Sequence, residues 1–364
     1  MTPPRSRFVL VLPYVVLAAA AAAQDATTLA RDYEKAVLAV NSAHANKPVA
    51  TDERELARRL PAAAAKLPAQ LVKLADAPAV RDALATAALA ALELDRIDDF
   101  DLLRARLAAL DATRADAVGI AVSRPRFLAI GTQGMQPQGL TAIADVFDLV
   151  LDAYRDVFGI EHFSKVPGKK LRLRVHLEAK ITRPPHFAPE LPFHSEIDFP
   201  VVDAEHFRSP TKAGQFLFYG LCHELGHVCA MWGDRKNEED RHAWAHFTGV
   251  VIVEHLSAKD LWPLRELRDG RWRSLEIERK RLAAQNVRPG PSDADTVFAR
   301  FLCLYDAVGA KPLGEALESL DAAGKHLLVN RVRYYSMRDF EQALLASKAG
   351  RAAKKAIAAA FAGS

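Results

Sequence analysis

The sequence predicts an α+β protein: a small mixed sheet with one chemically loaded helix, preceded by an all-α region and followed by a helical C-terminal subdomain. Three observations predict it. From Thr27 to about Ala117 the chain is rich in Ala and Leu at helical spacing, with almost no strand signal. Past Arg124-Pro125 the texture changes, and strand-like alternation enters. The run His223-Glu224-Leu225-Gly226-His227 then stands inside an apolar stretch from Phe216 to Trp232. The implied organisation is a leader over 1–23, helices over 24–120, a mixed domain holding that run over 121–260 and helices over 261–364.

The N-terminus reads as a secretory signal peptide. Arg5 and Arg7 form a positive start, Phe8 to Leu17 an apolar core, and Ala18 to Ala23 supply the small residues that cleavage needs. Cleavage after Ala23, just before Gln24-Asp25, would deliver the protein to a periplasmic or extracellular location. No later segment is apolar enough to span a bilayer, so no stable membrane insertion is expected after cleavage. The chain of 364 residues is half hydrophobic and about a quarter charged, the balance of a globular protein. Its formal charge of +4 falls to +2 without Arg5 and Arg7. That is no footprint for nucleic acid. The basic stretch from Arg265 to Arg281 reads as a solvated helix face.

In the N-terminal region, Ala30–Val40, Glu53–Leu60, Ala63–Leu74, Val80–Leu92 and Phe100–Leu110 each read as a helix, punctuated by Pro48, Pro61, Pro68 and Pro78. Arg126 to Thr132 reads as a short strand. Leu140 to Phe158 is an amphipathic helix stopped by Gly159. Leu171, Leu173, Val175 and Leu177 alternate with Arg172, Arg174, His176 and Glu178, a half-buried strand. A loop containing Pro184, Pro185, Pro189 and Pro192 follows. Ser195 to Val202 is a further strand, with Pro200 favouring a sheet edge. A second helix begins near Glu238 and runs to about Leu256, and Phe301 to Lys325 is helical again.

The run His223 to His227 carries the chemistry. On a helix, residues four apart share a face, so His223 and His227 can hold one Zn²⁺ from the same side, with Glu224 placed to act as general base on a water. That combination suits peptide-bond hydrolysis. Gly226 costs about 1 kcal/mol relative to Ala in mid-helix, which a close approach of backbone or substrate would explain. Catalytic zinc takes three protein ligands and keeps one position open. The second helix offers Glu239, His242 and His246 along one flank, with Glu238 and Asp240 as lesser candidates.

The order of strand, helix, strand, edge strand, motif helix, turn and second helix resembles the zincin metallopeptidases in their gluzincin branch, over roughly Arg126 to Leu256. The resemblance implies that an edge strand above the motif helix binds extended peptide, and that the next helix delivers the third ligand. A Glu in that role favours Glu239. The pattern His242-Ala243-Trp244-Ala245-His246-Phe247 instead places His242 there. Both stay open, one as ligand and the other as its orienting partner. His246 is a candidate hydrogen-bond donor, and Tyr334, Tyr335, Arg331 and Arg333 are candidates for oxyanion stabilisation. The expected partner is a peptide or protein substrate. A non-catalytic cell-envelope binding or assembly protein that retains the fold is the alternative, and a hydrolase of some non-peptide amide a third possibility. Cys222, Cys229 and Cys303 are too few for a disulfide scaffold. Cys222, about 100° around the helix from His223, is not expected to bind metal.

Overall fold

The computed structural model describes residues 12–45, 59–161, 170–181, 185–188, 196–202, 212–232, 238–259, 274–291, 293–329 and 332–362. The chain is α+β and mostly helical, with a small mixed sheet. It divides into two compact units, one of residues 1–123 with 132–134, the other of residues 124–131 with 135–364.

The first unit holds α1 (Leu12–Ala45), a 3₁₀ turn (Ala64–Lys66), α2 (Leu67–Leu71), α3 (Pro78–Glu93), α4 (Ile97–Leu110), α5 (Ala112–Val118) and β1 (Ile120–Ser123). Alanines make its core. Ala83, Ala87, Ala88 and Ala91 of α3 are buried, and their short side chains let α1 and α4 approach closely. Tyr33 of α1 donates a hydrogen bond to Asp99 of α4 at 3.0 Å, and Asn41 donates to the Glu93 carbonyl at 3.2 Å. The expected helix over Ala30–Val40 is part of the longer α1, which also takes in residues 12–23. The one expected over Ala63–Leu74 breaks into the 3₁₀ turn and α2, because Pro68 cannot continue a helix from its own N–H. Most of the helix expected over Glu53–Leu60 lies outside the described residues.

The second unit opens with β2 (Phe127–Gly131), α6 (Pro137–Phe158), β3 (Leu171–Leu177), β4 (His186–Ala188) and β5 (Glu196–Val201). Gly159 ends α6 with φ 70°, the left-handed cap that glycine adopts without strain. Within this unit the strands run in the order β2-β3-β5-β4. β3 is parallel to both neighbours, with Phe127 opposite Leu171 and Leu173 opposite Ile197, and β4 is antiparallel to β5, with Phe187 opposite Ile197. Leu171, Leu173, Val175, Ile197, Phe199 and Val201 share one face and are fully buried. The other face is polar, and Arg174 binds Glu196 there through two hydrogen bonds of 2.7 and 3.0 Å.

The sheet edge departs from the sequence expectation. β5 is flanked on both sides, and the outer strand is β4, inside the segment expected as a proline-rich loop. β4 covers only Glu196 to Asp198. Pro200, which has no N–H to donate, pairs with β3 beyond the reach of β4.

There follow α7 (Lys212–Cys229), β6 (Met231–Trp232), α8 (Glu238–Ala258), α9 (Leu275–Ala284), α10 (Ala294–Val308), α11 (Ala310–Ala322), β7 (Leu327–Val329), β8 (Val332–Tyr335), α12 (Met337–Ala346), α13 (Lys348–Ala352) and α14 (Lys354–Phe361). The C-terminal segment is therefore not purely helical. β7 and β8 pair antiparallel, and β8 runs parallel to β6, with Met231 opposite Tyr334. An aromatic cluster of Trp232, Trp244, Phe301 and Phe340, with neighbouring ring centroids 4.9–6.5 Å apart, binds β6, α8, α10 and α12 into one core. Buried Arg300 of α10 donates to the Ala360 carbonyl at 3.1 Å and lies over the Phe361 ring, tying down α14.

Candidate metal centre

α7 and α8 meet through glycines. A Cβ on Gly226 would stand 2.4 Å from Thr248 Oγ1 and 2.6 Å from Ala245 Cα. A Cβ on Gly249 would stand 3.2 Å from the His223 backbone. The mid-helix glycine of the motif is thus explained by the approach of another backbone. Tyr154 of α6 holds the crossing from behind: its hydroxyl donates to the Cys222 carbonyl at 2.6 Å, with Thr248 Oγ1 3.1 Å away.

This crossing brings the α8 residue His242 against the α7 pair. Ring centroids are 4.9 Å apart for His223 and His227, 4.9 Å for His227 and His242, and 5.7 Å for His223 and His242. One nitrogen from each lies within 4.8 Å of the others. Among the described residues this is the one group of three or more His, Cys, Asp or Glu side chains so arranged. His227 is buried, His223 half-buried and His242 exposed, so the group opens to solvent on the α8 side. The side chains of Glu238, Glu239 and Asp240 lie outside the described residues. Among the described side chains, His242 is the sequence candidate for a third ligand that groups with the α7 pair.

Glu224 points under the sheet edge, where its Oε2 accepts a hydrogen bond of 2.8 Å from the Phe187 N–H of β4. Burial pushes its carboxyl up from 4.5 to about 7, with the Phe187 N–H as a weaker opposing influence. A half-buried carboxyl that exchanges a proton near neutrality is suited to general base work.

A second layer lies behind His223. Tyr219 places its hydroxyl 3.5 Å from His223 Nδ1 and in hydrogen-bond contact with His246 Nδ1. His246 Nε2 is 3.5 Å from Glu278 Oε1 of α9. Arg281 donates to Glu278 at 2.8 Å and grips Asp295 through two bonds of 2.8 Å. Burial alone would raise the Glu278 carboxyl, but bonding to His246 and Arg281 outweighs it and holds the group at about 2. Tyr219 sits four residues before His223 on one helix face, a legible spacing that the motif overshadowed. Glu278 comes from another helix, and no local pattern marks it.

The oxyanion candidates resolve differently. Tyr335 is buried in β8, and its hydroxyl donates to Asp321. Tyr334 is also buried. Arg331 and the Arg333 side chain lie outside the described residues. Cys222 and Cys229 are both buried, and burial raises the Cys222 thiol, leaving it a neutral packing group.

Three neutral nitrogen donors, two of them four apart on one helix and the third from its neighbour, suit a divalent transition metal. Zn–N bonds of about 2.0–2.1 Å put tetrahedral ligands roughly 3.4 Å apart, and the nitrogens here lie within 4.8 Å of one another. Comparison with protein-family models, curated proteins and solved structures finds no match for this chain.

Proposed function

We propose that the chain is an exported zinc-dependent metallopeptidase with a zincin-like catalytic unit of gluzincin type. The observation that carries this reading is the convergence of His223, His227 and His242 beside Glu224. His223, His227 and His242 would hold the ion. When bound, zinc acts as a Lewis acid that lowers the pKa of water and polarises a carbonyl. The grouping of His242 with the α7 pair favours it as third ligand, with Glu239 of the same helix as the other candidate. His246 is turned toward Tyr219 and Glu278, which favours an open fourth position over a closed structural site and weighs against a non-catalytic assembly protein.

The residues of the chain then divide the work. Glu224 takes a proton from the attacking water and passes it to the leaving amine. The Phe187 N–H fixes its carboxylate at the edge of the sheet. β4 is the last strand in the order, and an extended peptide laid along it would run over Glu224. The leader-like N-terminus supports export. Glu224→Gln is expected to keep the metal and lose hydrolysis of a peptide library by about 100- to 10,000-fold. Full activity in that variant with metal bound would sink the proposal.

A further inference from the structure

The layer behind His223 has a direction, because each of its hydrogen bonds constrains the next. Glu278 is clamped by Arg281, is only 3% exposed and is ionised, so it accepts and never donates. The His246 nitrogen facing it, Nε2, therefore carries a proton. Where His246 is the neutral imidazole, its other nitrogen, Nδ1, is an acceptor, and the Tyr219 hydroxyl donates to it. With its one proton directed at His246, the phenol oxygen can face His223 Nδ1 only as an acceptor. His223 thus keeps its proton on Nδ1, and Nε2 is left with a lone pair.

The scaffold for this chain is stiff. The His246 ring lies against Phe298 with centroids 4.7 Å apart, and Tyr219 stands 5.9 Å from each of its two histidine neighbours. The N-terminus of α9, which presents Glu278, is pinned to α8 by the Leu275 N–H donating to Glu254 at 3.0 Å.

We infer that Tyr219 is a positioning residue, oriented by His246 and Glu278, that fixes His223 as the Nδ1–H tautomer and so delivers Nε2 to the metal. The inference rests on the metal-binding reading of His223, and it makes residues from α8 and α9 determinants of affinity without touching the ion. Outer hydrogen-bond partners of metal-binding histidines commonly contribute about 10- to 100-fold in affinity.

The test compares wild type with Tyr219→Phe and with Glu278→Gln, using long-range ¹H–¹⁵N NMR of the imidazoles in the metal-free protein and zinc affinity by chelator competition. The expected result is a His223 ring protonated on Nδ1 in wild type. Tyr219→Phe should shift its population toward Nε2–H and weaken zinc binding by about 10- to 100-fold, with the thermal midpoint little changed. Glu278→Gln frees the His246 tautomer and should move both readouts the same way by a smaller amount. It keeps the question answerable if Tyr219→Phe folds poorly. A wild-type His223 protonated on Nε2, or variants with unaltered tautomer and unaltered zinc affinity, would overturn the inference and leave the metal site standing. Wild type that binds no zinc removes the metal-site reading, and the inference that rests on it.

Discussion

Glu278 and Glu224 are carboxyls of one site moved in opposite directions, because their surroundings differ. Glu224 has burial and a single backbone donor, and its carboxyl rises to about 7. Glu278 has burial too, but Arg281 and His246 face it, and its carboxyl falls to about 2. A carboxyl depressed from its ordinary 4.5 stabilises the fold above the unfolded value, and that contribution is lost as pH falls through the folded one. The window for Glu278 therefore lies between about pH 4.5 and 2. Its contribution at neutral pH is about 3 kcal/mol. Acid titration of unfolding free energy should show this slope in wild type and a flatter curve in Glu278→Gln. Identical slopes would mean that the Arg281–Glu278–His246 contact contributes nothing net.

At the scale of elements, the crossing of α7 and α8 decides the site. Gly226→Ala would drive a Cβ to within 2.6 Å of the Ala245 backbone, so the helices must separate. Overpacking of this kind costs about 1–3 kcal/mol, read as a lowered denaturant midpoint. Because His242 is carried by the displaced helix, zinc affinity should fall with it; unchanged affinity would show that the crossing does not set the ligand geometry. The motif helix, α6 with its Gly159 cap, and β3 were legible in the sequence because their signals are local: period, cap and alternation. β4 was not, since three residues between prolines become a strand only through pairing with β5. β7 and β8 are similarly short, and β8 is held by β6, about a hundred residues earlier in the chain. His223, Glu224 and His227 were legible as a set, and His242 as one of several candidates. The Phe187 contact and Glu278 were not, because nothing in a helix pattern says which distant backbone or carboxylate will face it.

At the scale of the molecule, the second unit gathers α7, α8, α9 and the sheet edge around one centre, and its C-terminal elements explain why the chain continues past the last candidate ligand. Trp244 and Phe247 of α8 pack on Phe301 of α10, so the helix bearing His242 has the C-terminal segment as its floor. The first unit is an alanine-packed helical array; among the described residues it contributes no metal-holding group. No helix among them is long and apolar enough to cross a membrane. The most direct test of the whole is the metal content of the purified protein, beside His223→Ala and His242→Ala, after reconstitution with zinc and removal of excess ion. The expected result is about one zinc per chain in wild type, with loss or severe weakening in both variants. Wild type without zinc would contradict the central claim. Zinc retained undiminished in His242→Ala would reassign the third ligand to Glu239 or a neighbour on α8.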